Sequence, residues 1–166
     1  MPFTPFHFGP SACVSLPLKR YIDVPIFILA NIAVDIEPLL VMTLGLPFPL
    51  HGIAHTLLGA TLIGIGVGVA ANSVKKHLNQ IARTLLKLTY ITSLKKYILS
   101  GILGCWFHIL LDSPLYTDIK PLYPFSDTNP FLGITQGELM YTICVYSFLL
   151  VAAIYGSILI IKNKKY

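Results

Sequence analysis

Residues 24–45 read VPIFILANIAVDIEPLLVMTLG, 22 residues of which only Asp35 and Glu37 carry charge. An apolar run of about 20 residues forms a helix long enough to cross the roughly 30 Å hydrocarbon core of a bilayer. Working outward, two more stretches reach that length, His51 to Asn72 and Gly137 to Ile161. A fourth, Tyr97 to Asp112, is short and spans with thinning, tilt or the help of a neighbouring helix. The apolar segment Gly9 to Leu18 is too short to cross and reads as a partial or re-entrant helix; no basic residue precedes it, so it is not read as a signal peptide. The whole composition agrees: 55% of residues are hydrophobic and 11% charged, about half the charge of a soluble domain, which excludes disorder and an ordinary globular enzyme. Three scattered cysteines, Cys13, Cys105 and Cys144, exclude a disulfide scaffold or a CxxC metal knuckle. The expected fold is all-α and polytopic, about four transmembrane helices in one membrane-embedded domain over 1–166.

The net charge of +5 is confined to one set of segment ends: Lys19, Arg20, Lys75, Lys76, Arg83, Lys87, Lys95, Lys96, Lys162, Lys164 and Lys165, with Lys120 alone at the other. The positive-inside rule then makes the Lys75–Lys96 connection and the C-terminus cytoplasmic, and turns 46–50 and 113–136 outward, in a multi-pass protein of the cell membrane. The charge therefore addresses lipid and not nucleic acid. Val74, Leu78, Ile81, Leu85 and Leu88 alternate steps of four and three among basic residues, the pattern of an amphipathic helix on the anionic inner leaflet. Gly64, Gly66 and Gly68 form GxGxG, but without a preceding strand or a following acidic partner they read as a close helix contact, Gly64xxxGly68, and not as a nucleotide loop.

Ionisable side chains do not belong in such spans. Each costs about 2.5–3.5 kcal/mol at the bilayer centre on insertion scales, yet His7, Asp35, Glu37, His51, His55, His108 and Asp112 lie in or at the edges of the apolar segments. A shared metal offsets that cost. His51 and His55, and His108 and Asp112, are spaced four apart, which on a helix places each pair on one face. His7, Asp35 and His108 each lie twelve residues from Lys19, Asp23 and Lys96 respectively, or about 18 Å at helical rise, one level in the outer half of the membrane. On the same count His55 lies somewhat further out. Pro38 disfavours helix at the residue before it, so a break is expected near Glu37, and a discontinuous helix can aim both carboxylates at one site.

At these residues the chain resembles the YdjM-like membrane-bound metal-dependent hydrolases, small inner-membrane proteins with an early His, an Asp-x-Asp-His motif, a His-Arg-Gly-x-Thr-His-Ser element and a His-x-x-x-Asp running into a Pro-rich loop. The matches are His7, Asp35-Ile36-Glu37, His55-Thr56 and His108-Ile109-Leu110-Leu111-Asp112, then Leu122-Tyr123-Pro124-Phe125-Ser126. Pro38 stands where the family has His, and His51-Gly52-Ile53-Ala54-His55 lacks the Arg and is one residue shorter. The resemblance implies a metal site more firmly than it implies a substrate.

The expected ligands are His7, Asp35, His51, His55, His108 and Asp112, holding one or two divalent ions, Zn²⁺ foremost and Mn²⁺ or Fe²⁺ as alternatives. The expected activity is metal-dependent hydrolysis of a phospholipid or other amphiphilic phosphoester near the outer face, with Glu37 as the catalytic proton acceptor. The rivals are a metal or proton transporter and a metal-stabilised scaffold without chemistry. A transporter needs acidic residues leading inward, and none occurs between Glu37 and Asp112. The stretch Ser113 to Gln136, about 24 residues, exceeds an ordinary connection. Its prolines and its aromatic residues Tyr116, Tyr123, Phe125 and Phe131 suit a lid at headgroup level, and Asp118 or Asp127 can fold back toward the site.

Overall fold

The computed structural model describes residues 5–84, 87 and 92–163, with side chains as far as Ile161. Seven helices follow in order: α1 (Pro5–Ser15), α2 (Val24–Val34), α3 (Ile36–Leu44), α4 (Leu57–Ser73), α5 (Lys75–Thr84), α6 (Leu94–Asp112) and α7 (Gly137–Asn163). No strand occurs among the described residues.

Three stretches are long and apolar enough to cross a membrane: α2 with α3 (Val24–Leu44), α6, and α7 over Gly137–Ile161. Helices α4 and α5 pass the same test only as a pair bent by 84°. The proposed span from His51 to Asn72 is thus shorter in its helical part. Its first residues form a turn of 3₁₀ helix at Ile53–His55, and α4 begins only at Leu57, capped by the Thr56 hydroxyl accepting from Gly59 N–H at 2.9 Å.

The break in the first span falls at Asp35, two residues before the position expected. Pro38 has no N–H to offer the carbonyl four residues back, that of Val34, and its ring crowds that carbonyl. Helix α2 accordingly ends at Val34, Asp35 closes it, and α3 restarts with Pro38 in its first turn, where a missing N–H costs nothing. Gly45, at φ 59°, ends α3 in the left-handed conformation that glycine adopts without steric cost, and Leu46 N–H returns to the Val41 carbonyl at 3.0 Å.

Helix α6 packs between α2 and α4. The close contact expected of Gly64 and Gly68 is present: a methyl group on Gly64 would fall 2.5 Å from the Ile102 backbone and one on Gly68 2.5 Å from that of Ile98, while Gly66 faces open space. Gly104 permits the same approach to α2 at the Phe27 carbonyl. Without a hydrophobic drive between helices in lipid, such backbone proximity is a main source of association. Between the three helices Ala30, Val34, Ala60, Cys105 and Ile109 are buried, joined by Ile119 from the 113–136 loop.

The short α1 lies against α7, with Leu16 and Val24 buried beside Val151, Ile154 and Ile158. Val74, at the bend before α5, is exposed, and α5 exposes Ile81 and its basic residues while it packs Leu78 beside Tyr97 and Ala71. Leu85 and Leu88 of the amphipathic pattern lie outside the described residues.

Candidate metal centre

Helix α6 supplies the core of the site. Spaced one turn apart near its end, His108 and Asp112 are buried, and the His108 Nε2 atom lies 3.5 Å from Asp112 Oδ2 and 3.4 Å from Asp35 Oδ1. Asp35 arrives there because the α2–α3 break leaves it at the helix junction. The fourth member is His55, held in the 3₁₀ turn. One ligand-type atom from each of Asp35, His55, His108 and Asp112 lies within 4.8 Å of the others. Four of the six expected ligands therefore converge. His55 reaches the same level as the rest because residues 51–56 turn back on themselves instead of continuing α4 outward.

Each imidazole is held by its other nitrogen. His108 Nδ1 is 3.2 Å from Asn31 Oδ1, and the Asn31 amide is oriented by donating to the Gly104 carbonyl at 3.4 Å. His55 Nδ1 is 3.2 Å from Glu37 Oε2. Where an oxygen acceptor takes the Nδ1 proton, Nε2 is left with a lone pair. The Nε2 atoms of His55 and His108 are buried and have no hydrogen-bond partner. A buried polar atom without a partner costs about 1–3 kcal/mol, so two in one cluster point to a ligand that completes them.

The set fits a divalent metal on two counts. Bonds of about 2.0–2.2 Å in a tetrahedron have ligand edges of about 3.4 Å, the separation seen between His108 Nε2 and its two carboxylates. An Nδ1 pinned by an oxygen, with Nε2 presented to the site, is the usual support for a metal-ligating histidine. A cation also relieves the repulsion of Asp35 and Asp112 in a medium of low polarity, and at the C-terminus of α6 the Asp112 carboxylate meets the negative end of the helix dipole.

His7 and His51 lie beside the cluster, each on a carboxylate. His7 Nε2 is 3.0 Å from Asp112 Oδ1, and its ring stacks on that of His108 with centroids 4.6 Å apart. His51 Nδ1 is 2.9 Å from Asp118 Oδ1, its backbone N–H donates to Asp118 Oδ2 at 3.2 Å, and its ring lies 4.6 Å from that of His55. Of the two acids expected to fold back, Asp118 does so and Asp127 pairs with Lys120 at 2.8 Å instead. Burial opposes ionisation of Asp118, but the His51 contacts outweigh it and hold the carboxyl below its ordinary range.

Glu37 faces the same group from behind. Its carboxylate accepts from Gly52 N–H at 2.9 Å and Ala54 N–H at 3.2 Å as well as meeting His55. Gly52 makes room for it: a methyl group there would sit 2.7 Å from Glu37 Oε1.

Of two further residues of the site, Asn31 carried no assignment from sequence and Tyr116 was read only as a lid aromatic. Asn31, which orients His108, precedes Asp35 by four residues. Tyr116, whose ring packs at 4.4 Å on His51, follows Asp112 by four. Polar groups at one-turn spacing from a candidate ligand are the signal that marks both. Burial, and then the charge of Asp112, push the Tyr116 phenol well above its ordinary range. The loop is fastened over this side by Leu57 N–H to the Pro121 carbonyl at 2.9 Å, by Asn129 to the Ser113 carbonyl at 2.8 Å, and by the buried Ile119.

Fold and site together define a helical membrane protein with a buried His/Asp group of metal-binding spacing. The chain belongs to the YdjM family: the family model described as YdjM inner membrane protein matches residues 7–165, beginning at the first candidate ligand. No curated protein and no solved structure matches the chain.

Proposed function

We propose that the chain is a metal-dependent hydrolase of the inner membrane that cleaves a phospholipid or another amphiphilic phosphoester near the outer face. The observation that carries the reading is the pair of buried Nε2 atoms of His55 and His108, neither of them in a hydrogen bond, beside two carboxylates. Imidazole with carboxylate suits Zn²⁺, with Mn²⁺ and Fe²⁺ as alternatives, and supports one ion; a second has no comparable ligand group among the described residues. When bound, such an ion supplies Lewis-acid activation of a water for attack on an ester.

The chain's own residues do the rest. Asn31 and Glu37 fix the two rings, His7 holds Asp112, and Tyr116 offers an O–H toward charge that develops on the substrate. Glu37, the expected proton acceptor, serves first as a positioning residue, because its carboxylate is engaged by three donors on the Nδ1 side of His55. A substrate with an apolar tail follows from a site roofed by a loop at headgroup level. In this proposal α2–α3, α4, α6 and α7 span the membrane, α1 is re-entrant, α5 rests on the cytoplasmic leaflet, and the C-terminus is cytoplasmic.

The test is release of a soluble head or phosphate from phospholipid vesicles by the purified protein loaded with each metal in turn. Turnover abolished by His108→Ala supports the reading. Metal-loaded protein that hydrolyses no phosphoester leaves a metal-stabilised scaffold.

A further inference from the structure

A cavity of about 950 Å³ opens between α3, the middle of α4, the 46–56 turn and the 118–123 part of the 113–136 loop. Small-molecule sites occupy about 300–1,000 Å³, so it lies at the upper end of that range. Its wall is apolar: Ile36, Leu40, Val41, Phe48, Ile63 and Val67. Ile36 and Leu40 are about half exposed on helices of membrane hydropathy, so the cavity is entered sideways from hydrocarbon. The charged and imidazole side chains that line it are Glu37, His51, Asp118 and Lys120, and Glu37 and Asp118 both bond to the 51–54 turn, which makes that end polar.

That end adjoins the metal centre. Glu37 holds His55 by Nδ1, and the His51 ring touches that of His55. A chain lying in the cavity would bring its attached head to the histidine cluster. The charges at the polar end are of both signs. Lys120 is the only Lys or Arg among the described residues that line the cavity, and its ammonium pairs with Asp127 at 2.8 Å. A purely anionic head would meet more carboxylate than ammonium, whereas a head carrying phosphate and amine together finds a partner for each.

We propose that this cavity holds the acyl chain of a zwitterionic phospholipid, with its phosphate toward Lys120 and its amine toward Asp118. The proposal rests on the hydrolase reading only in taking the occupant to be the substrate. Occupancy itself requires no metal and no turnover.

The experiment uses the full chain in non-ionic detergent micelles, with chelator present, and a trace of phosphatidylethanolamine carrying a diazirine in its acyl chain. Photolabel is expected in peptides 36–53 and 57–67 above the level on α7, whose broad exposed face reports ordinary lipid contact. Unlabelled phosphatidylethanolamine should displace it about tenfold more effectively than phosphatidylglycerol. Ile63→Trp should cut the specific label about tenfold and leave the α7 label unchanged; Leu40→Trp, at an exposed position that tolerates bulk, repeats the test independently of core packing. Label spread as heavily over α7, or unchanged by both tryptophans, would overturn the site. Equal displacement by phosphatidylglycerol would overturn the head assignment. Specific labelling without phosphoester hydrolysis would sink the hydrolase reading and leave the lipid site standing.

Discussion

His108 is pinned on one side by the Asn31 amide and faces two carboxylates on the other, so its role in metal binding is separable from its burial. Asn31→Ala removes the acceptor that fixes the ring and should weaken metal binding about 10–100-fold, the usual cost of losing such a support. Asn31→Asp keeps an oxygen at Nδ1 and should restore it, and a competition titration with a chromophoric chelator reads both. Glu37→Gln distinguishes two roles. As a positioning residue Glu37 should, on losing its charge, loosen metal binding to a similar degree; full metal affinity with turnover lost would make it the proton acceptor. The ligand-type residues were legible because each is an anomaly in an apolar run. Asn31 was not, since an uncharged amide in a span has no comparable cost and draws notice only once Asp35 is seen one turn away.

At the scale of elements, the α4–α6 contact depends on Gly64 and not on Gly66. Gly64→Val should destabilise the protein by about 1–3 kcal/mol through overpacking, while Gly66→Val, which meets nothing within 4 Å, should leave it nearly unchanged. Unfolding in mixed micelles under increasing SDS measures the difference. This contact could be read from glycine spacing alone. The shape of the 51–56 segment could not: the four-residue spacing of His51 and His55 suits a helix, whereas the bonds from Glu37 to Gly52, Ala54 and His55 select a turn. Those bonds link residues 15 to 18 apart in the chain, beyond the reach of local periodicity. In the same way Pro38 announced a break, but its position was set by the carbonyl that proline crowds and not by the residue it follows.

Over the whole molecule, the sequence puts every basic residue but Lys120 at one set of segment ends, the pattern that orients membrane proteins with that side inward. In a background without the native cysteines, Asn79→Cys should react with a membrane-impermeant thiol reagent only in inverted vesicles, and Thr128→Cys only in intact cells. Reaction of both from one side would refute the topology. Three of the four expected spans were legible from apolar length, whereas α4 passes as a span only together with α5 as a bent pair. The 113–136 loop was legible only as long and proline-stiffened, since the contacts of Ile119 and Asp118 that fasten it are tertiary. The central claim is that Asp35, His55, His108 and Asp112 hold a metal ion. Elemental analysis of the purified full-length protein, compared with His108→Ala purified alongside, tests it most directly. The account predicts about one divalent ion per chain, as one ligand group of this kind would bind, and loss of most of it from the variant; equal metal content in the two proteins would contradict it.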